Sequence, residues 1–153
     1  MDFLDRSRGS RADFSLFTLY SLLSMRNAAF HNVAVIILTD DAQLGANLCA
    51  ALAVLPEVGS VGVQSATSAR GGHLLAADVV FIDAAELYGE RGRELVCRIE
   101  QSRPFVAVAR RAADAVIAFE RAAADCLTFP AAPDRVYLAL QRASAQFQPA
   151  VAV

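Results

Sequence analysis

The sequence predicts an α/β domain in which five parallel strands form one doubly wound sheet, with an extra N-terminal helix ahead of it. Three observations carry that prediction. Val33-Ala-Val-Ile-Ile-Leu38, Val79-Val-Phe-Ile82 and Phe105-Val-Ala-Val-Ala109 are continuous apolar runs, the pattern of strands buried on both faces. Segments of helical spacing separate them, and that alternation implies right-handed crossovers with helices on both sides of the sheet. The chain has 153 residues, 56% of them hydrophobic, enough for one domain with a substantial core.

Residues 1–30 read as an extension, 31–147 as the main domain and 148–153 as a tail. Within the extension, Asp13 is placed to cap a helix reaching about Ala29. Its apolar residues, Phe14, Phe17, Tyr20 and Leu23 among them, exceed what solvent should see. They pack on the same domain or form an interface with a second subunit.

The first strand, 33–38, runs into Asp40-Asp41. Leu44, Leu48, Leu52 and Leu55 then give one helix face, stopped by Pro56. Val61–Gln64 is a short strand, and 65–77 holds a brief helix interrupted by Gly71-Gly72. Val79–Ile82 is the third strand, ending at Asp83. A loop through Gly89 and Gly92 precedes a helix with Leu95, Val96 and Ile99 turned inward. Phe105–Ala109 is the fourth strand, followed by an alanine-rich helix over 111–124, anchored by Val116 and Phe119. Cys126–Phe129 is the fifth strand, ended by Pro130. Asp134 opens a last helix carrying Val136, Leu140 and Ala143.

Fourteen basic and 16 acidic residues give a formal charge of -2. No basic block is long enough for a nucleic-acid footprint. Cys49, Cys97 and Cys126 lack CxxC or Cys/His spacing and read as reduced thiols of a cytoplasmic protein. Arg6, Arg8 and Arg11 precede an apolar run in the order of a secretory signal, but Asp2, Asp5 and Asp13 offset them. The run is also shorter than a membrane span of roughly 20 residues. His31 and His73 have no ligand partner in motif spacing and read as structural or surface residues.

The chemistry concentrates in the carboxylates that end two strands. If those strands are parallel neighbours, Asp40, Asp41 and Asp83 meet in the crevice where open α/β sheets bind ligands. Three like charges there call for a cation or a retained proton. The plainer account is a solvated strand terminus and a helix cap.

From residue 33 to about 145 the chain resembles the receiver domain of bacterial response regulators, a flavodoxin-like fold. The resemblance is strongest to the group whose receivers commonly precede a LytTR DNA-binding domain (LytR/AlgR-like). It rests on Asp40-Asp41, on Asp83 in Asp78-Val-Val-Phe-Ile-Asp83, and on the stretch from Ala118-Phe119-Glu120 to Phe129-Pro130. It implies that Asp83 is the phosphoacceptor, that Asp40, Asp41 and Asp83 hold Mg2+, and that a sensor histidine kinase is a partner. Direct transcriptional output is not expected, since the sequence after residue 145 leaves no room for that DNA-binding domain unless the chain is an isolated fragment.

Four departures touch one step. The switch hydroxyl expected at the end of the fourth strand is replaced by Ala109, the lysine before the proline by Phe129, and the aromatic switch residue by Cys126. The loop after the acceptor reads Glu86-Leu87-Tyr88. Alanine and phenylalanine offer the phosphoryl group neither donor nor charge. Arg110, next to Ala109 at the mouth of the crevice, is a candidate to bridge Asp83 or to contact an anion.

The expected function is a non-enzymatic pseudo-receiver that acts through protein contacts, as a homodimer or with a signalling partner. Its phosphorylation is impaired or uncoupled from output. The alternative is a genuine Mg2+-dependent phosphoacceptor at Asp83 with non-standard output. Phosphate chemistry on a small molecule is the third reading, for which the sequence supplies no separate base.

Overall fold

A computed structural model describes residues 32–70, 76–100 and 103–146. The elements in order are β1 (Val33–Leu38), α1 (Ala42–Ala53), β2 (Val58–Gln64), α2 (Ala66–Arg70) and β3 (Val79–Asp83). A 3-10 turn (Ala84–Leu87) leads to α3 (Gly89–Glu100), β4 (Phe105–Ala109), α4 (Ala112–Glu120), β5 (Asp125–Thr128) and α5 (Pro133–Gln146). All strand pairs are parallel, in the order β2-β1-β3-β4-β5. The doubly wound sheet predicted from the apolar runs is therefore the observed architecture.

Strand side chains alternate between two apolar layers, as a period of two requires. Val35 and Ile37 of β1, Phe81 of β3 and Val106 and Val108 of β4 pack with Leu44, Leu48 and Leu52 of α1 and Val136 and Leu140 of α5. On the other face Leu38, Ile82 and Ala107 meet Leu95 and Ile99 of α3 and Ile117 and Ala118 of α4. Leu38 lies opposite Ile82, Asp83 opposite Val108, and Ala109 opposite Thr128. The C-terminal ends of β1, β3 and β4 are therefore level, and the residues just beyond them share one rim.

Several predicted boundaries shift. β2 begins at Val58 rather than Val61, and β5 covers 125–128, which leaves Phe129 just past the strand. The loop expected through Gly89 and Gly92 is the first turn of α3. Gly92 is required there because a Cβ would collide with the Leu87 carbonyl. Gly89 has φ +69, in the region that favours glycine.

The helix predicted over 111–124 ends at Glu120, and its facing is corrected: Val116 and Phe119 are 61% and 65% exposed, not anchors. A polar cap sets that rotation. The Asp114 carboxylate accepts the Arg110 and Arg111 amides and is itself buried. Ile117 and Ala118, three and four residues on, share its inward face, so positions 116 and 119 turn outward.

The predicted N-terminal helix with Phe14, Phe17, Tyr20 and Leu23, the Gly71-Gly72 segment with His73, and the tail lie outside the described residues. No helix among the described residues is long and apolar enough to cross a membrane.

Candidate functional site

The rim is built at the C-terminal ends of three strands. Asp41 follows β1, Asp83 ends β3, and Arg110 follows β4. Asp41 is the N-cap of α1, and its Oδ1 accepts the amides of Gln43 at 2.9 Å and Leu44 at 3.3 Å. This is the usual reason for an aspartate at a helix start. Its second oxygen, Oδ2, accepts a hydrogen bond of 2.6 Å from Arg110 Nη2.

Asp83 is only 3% exposed. Its Oδ1 accepts Arg110 Nη1 at 2.7 Å and the Ala85 amide at 3.1 Å. Its Oδ2 accepts Arg110 Nη2 at 3.0 Å and the Thr39 hydroxyl at 2.8 Å. A carboxylate offers about four lone-pair sites, so the acceptor capacity of Asp83 is filled. The fork of Arg110 on Asp83 is the bidentate geometry in which guanidinium–carboxylate pairs are strongest.

The guanidinium also lies over the Phe129 ring, 5.9 Å from its centroid, within cation–π range. Ala109 contributes its carbonyl, which accepts the Phe129 amide at 2.8 Å and holds that ring beside Arg110. The hydrogen bonds to Asp83 and then to Asp41 raise the pKa of Arg110 further above its ordinary value. The same contact with Arg110, helped by the Leu44 and Gln43 amides, lowers that of Asp41.

Three contributors were not singled out by the sequence. Thr39 is buried and bridges the two acids, donating to Asp83 and accepting the Asp41 amide at 3.0 Å. Its signal is a hydroxyl residue at the end of an otherwise apolar run. Asp114 fixes the Arg110 backbone by accepting its amide at 3.0 Å, and the Tyr88 hydroxyl donates to Asp114 at 2.5 Å. The signal for Asp114 is an acid in the first turn of a predicted helix. For Tyr88 the sequence held none, since an aromatic in a loop has no periodicity.

The other predicted residues lie apart from this network. Asp40 is exposed and takes no part in the bridge. The three-carboxylate crevice expected from the sequence is thus a pair of carboxylates joined by a guanidinium. Cys126 is half-buried against the α3/α4 layer, where burial and then the nearby Asp125 raise its thiol pKa. It is a packing residue in this arrangement. Glu86, in the altered loop after Asp83, pairs with Arg70 at 2.6 Å.

A divalent cation in this crevice would need carboxylate oxygens that Arg110, Thr39 and backbone amides already use. Among the described residues no three His, Cys, Asp or Glu side chains group closely enough to hold a metal. The donor set as arranged does not fit Mg2+, whose near-octahedral shell takes free oxygen ligands.

No protein-family model matches the chain, and no curated protein does. Solved structures do. A CheY-like response regulator protein from Mesorhizobium loti aligns at TM-score 0.58 and 16% identity, covering 72% of this chain and 97% of that one. The signal receiver domain of an HD domain-containing protein from Pseudomonas fluorescens Pf-5 gives 0.59 at 19%, covering 76% and 98%. That of a modulated diguanylate cyclase from Desulfovibrio desulfuricans G20 gives 0.58 at 21%, covering 75% and 95%. With five parallel strands and helices on both faces, the described residues have the flavodoxin-like fold of response-regulator receiver domains.

Proposed function

We propose that this chain is a pseudo-receiver, a signalling module that works through protein contacts and is not switched by phosphorylation of Asp83. The observation that carries the reading is the saturation of Asp83: four donors hold its two oxygens. A nucleophilic carboxylate must present a free lone pair to phosphorus, and a cation must neutralise the phosphoryl oxygens as it does so. Here the lone pairs are occupied and the one cation on the pair is tethered. Ala109 and Phe129 at the neighbouring strand ends supply no hydroxyl and no ammonium for a phosphoryl group. A conformational equilibrium shifts only through contacts that differ between its states, and those side chains offer none.

Protein contact is the remaining output. The outward Val116 and Phe119 on α4, three residues apart on one helix face, support it. A homodimer or a signalling protein would cover them. Soluble signalling in the cytoplasm accords with the three unpaired thiols.

Incubation with acetyl phosphate and Mg2+, read by intact-protein mass, tests the reading. The expected result is no adduct. Stoichiometric labelling that disappears in Asp83→Asn would overturn it in favour of a genuine phosphoacceptor with non-standard output.

A further inference from the structure

We infer that Arg110 is the resident cation of the Asp41–Asp83 pair, a tethered side chain that shuts divalent cations out of the crevice. Neutralising it would turn the crevice into a divalent-cation site. The inference rests on the pseudo-receiver reading and names what enforces it.

The argument is one of charge and coordination. Asp83 is enclosed, 3% exposed, and a buried carboxylate without a counter-charge must find a cation or take up a proton. Arg110 supplies the charge, with donors 2.6, 2.7 and 3.0 Å from three of the four oxygens of Asp41 and Asp83. Those oxygens are hard ligands suited to a small divalent ion.

Arg110 is also held from behind. Asp114 accepts its amide, Tyr88 braces Asp114, and the Phe129 ring lies under the guanidinium. Loss of an ion to solvent carries no covalent restraint, whereas this one returns to the same two acids each time it dissociates. A free ion must compete with that high local concentration. Every attachment point of Arg110 other than the two acids is independent of them, so neutralising the guanidinium removes the occupant and leaves the oxygens in place.

Mn2+ serves as the probe, followed by electron paramagnetic resonance and by broadening of amide NMR signals. In the wild type, Mn2+ is expected to leave the Asp41, Asp83 and Arg110 amides no broader than the rest of the surface. In Arg110→Gln, checked for folding by far-UV circular dichroism, one saturable Mn2+ site is expected, at least about tenfold tighter than any in the wild type. Arg110→Gln/Asp83→Asn should lose it, and Arg110→Lys should resemble the wild type.

Folded Arg110→Gln that takes up no Mn2+ overturns the inference. So does saturable Mn2+ binding in the wild type that broadens the Asp41 and Asp83 amides, a result readable even if the variant fails to fold. Binding that survives in the double variant reports an adventitious ion only and also overturns it. Acetyl phosphate runs in parallel: labelling of the wild type sinks the pseudo-receiver reading, whereas an unlabelled wild type with an inert Arg110→Gln sinks only the tethered cation.

Discussion

Arg110 and Asp83 lie 27 residues apart and are joined through two guanidinium nitrogens, at 2.7 and 3.0 Å. The acid is 4% exposed at its side chain and the arginine 33%. That asymmetry decides the energetics. Desolvation falls mainly on Asp83, while solvent still reaches its partner, so losing the partner leaves the more costly charge behind.

Arg110→Ala should therefore lower stability by about 2 kcal/mol, less than the about 3–5 kcal/mol of a wholly enclosed pair because Arg110 is partly solvated. Urea unfolding monitored by circular dichroism gives the value. Arg110→Lys should recover only part of it, since an ammonium lacks the two parallel donors. A loss no greater than that of an exposed alanine substitution would contradict the bridge.

Acid should unfold the domain through its paired carboxylates. The Tyr88 hydroxyl above all holds Asp114 below its ordinary value of 3.8, and Arg110 does the same for Asp41. For Asp125 burial works upward, but the bonds from Arg135 and the Cys126 amide, with the charge of Arg142, outweigh it. A depressed folded-state value means that the unfolded chain binds protons first as pH falls. The stabilisation is complete above 3.8 and is lost as pH drops below it toward the folded-state values. Denaturation midpoints should be level with respect to these groups from pH 7 to about 5 and fall steeply below about 4. Asp114→Asn should flatten that fall.

Tyr88 should titrate late. Its hydroxyl donates to a carboxylate, which with burial raises the phenol above its ordinary 10.0. Ultraviolet difference spectra of wild type and Tyr88→Phe isolate its titration. Asp114→Asn should bring it back toward the ordinary value.

Glycine positions should separate by cause. Gly92→Ala drives a methyl into the Leu87 carbonyl and should cost about 3 kcal/mol by thermal unfolding. Gly89→Ala meets no atom within 4 Å and pays only for its positive φ, about 1 kcal/mol. Similar losses at the two sites would remove the close-approach argument.

Phe119→Ser, at a 65% exposed position, should change stability by no more than about 0.5 kcal/mol. Its expected effect is on association, read as a lower sedimentation-average mass at matched concentrations. A large loss of stability with unchanged mass would mean that the ring belongs to the core after all.

What could be read from the chain follows what local pattern encodes. Apolar runs placed Asp41 and Asp83 at strand ends, because a strand buried on both faces needs no alternation and ends where polarity resumes. Adjacency to Ala109 put Arg110 at the crevice mouth. That one guanidinium would reach both acids depends on β1, β3 and β4 being neighbours with level ends, and periodicity carries no strand order. Val116 and Phe119 went wrong for another reason. Hydropathy alone favoured them as anchors, yet the polar cap by Asp114 set the rotation of α4. Such a contact involves an acid that composition counts as surface.

The bridge also has a kinetic side. Asp83 ends β3, while Asp41 and Arg110 lie just past β1 and β4, so one side chain rivets together strand ends whose following loops would otherwise fluctuate independently. The loops can part only when the bonds to both acids are broken within the same excursion, which makes opening rare and collective rather than frequent and local. Amide hydrogens at the ends of β1, β3 and β4 should accordingly exchange on one shared clock.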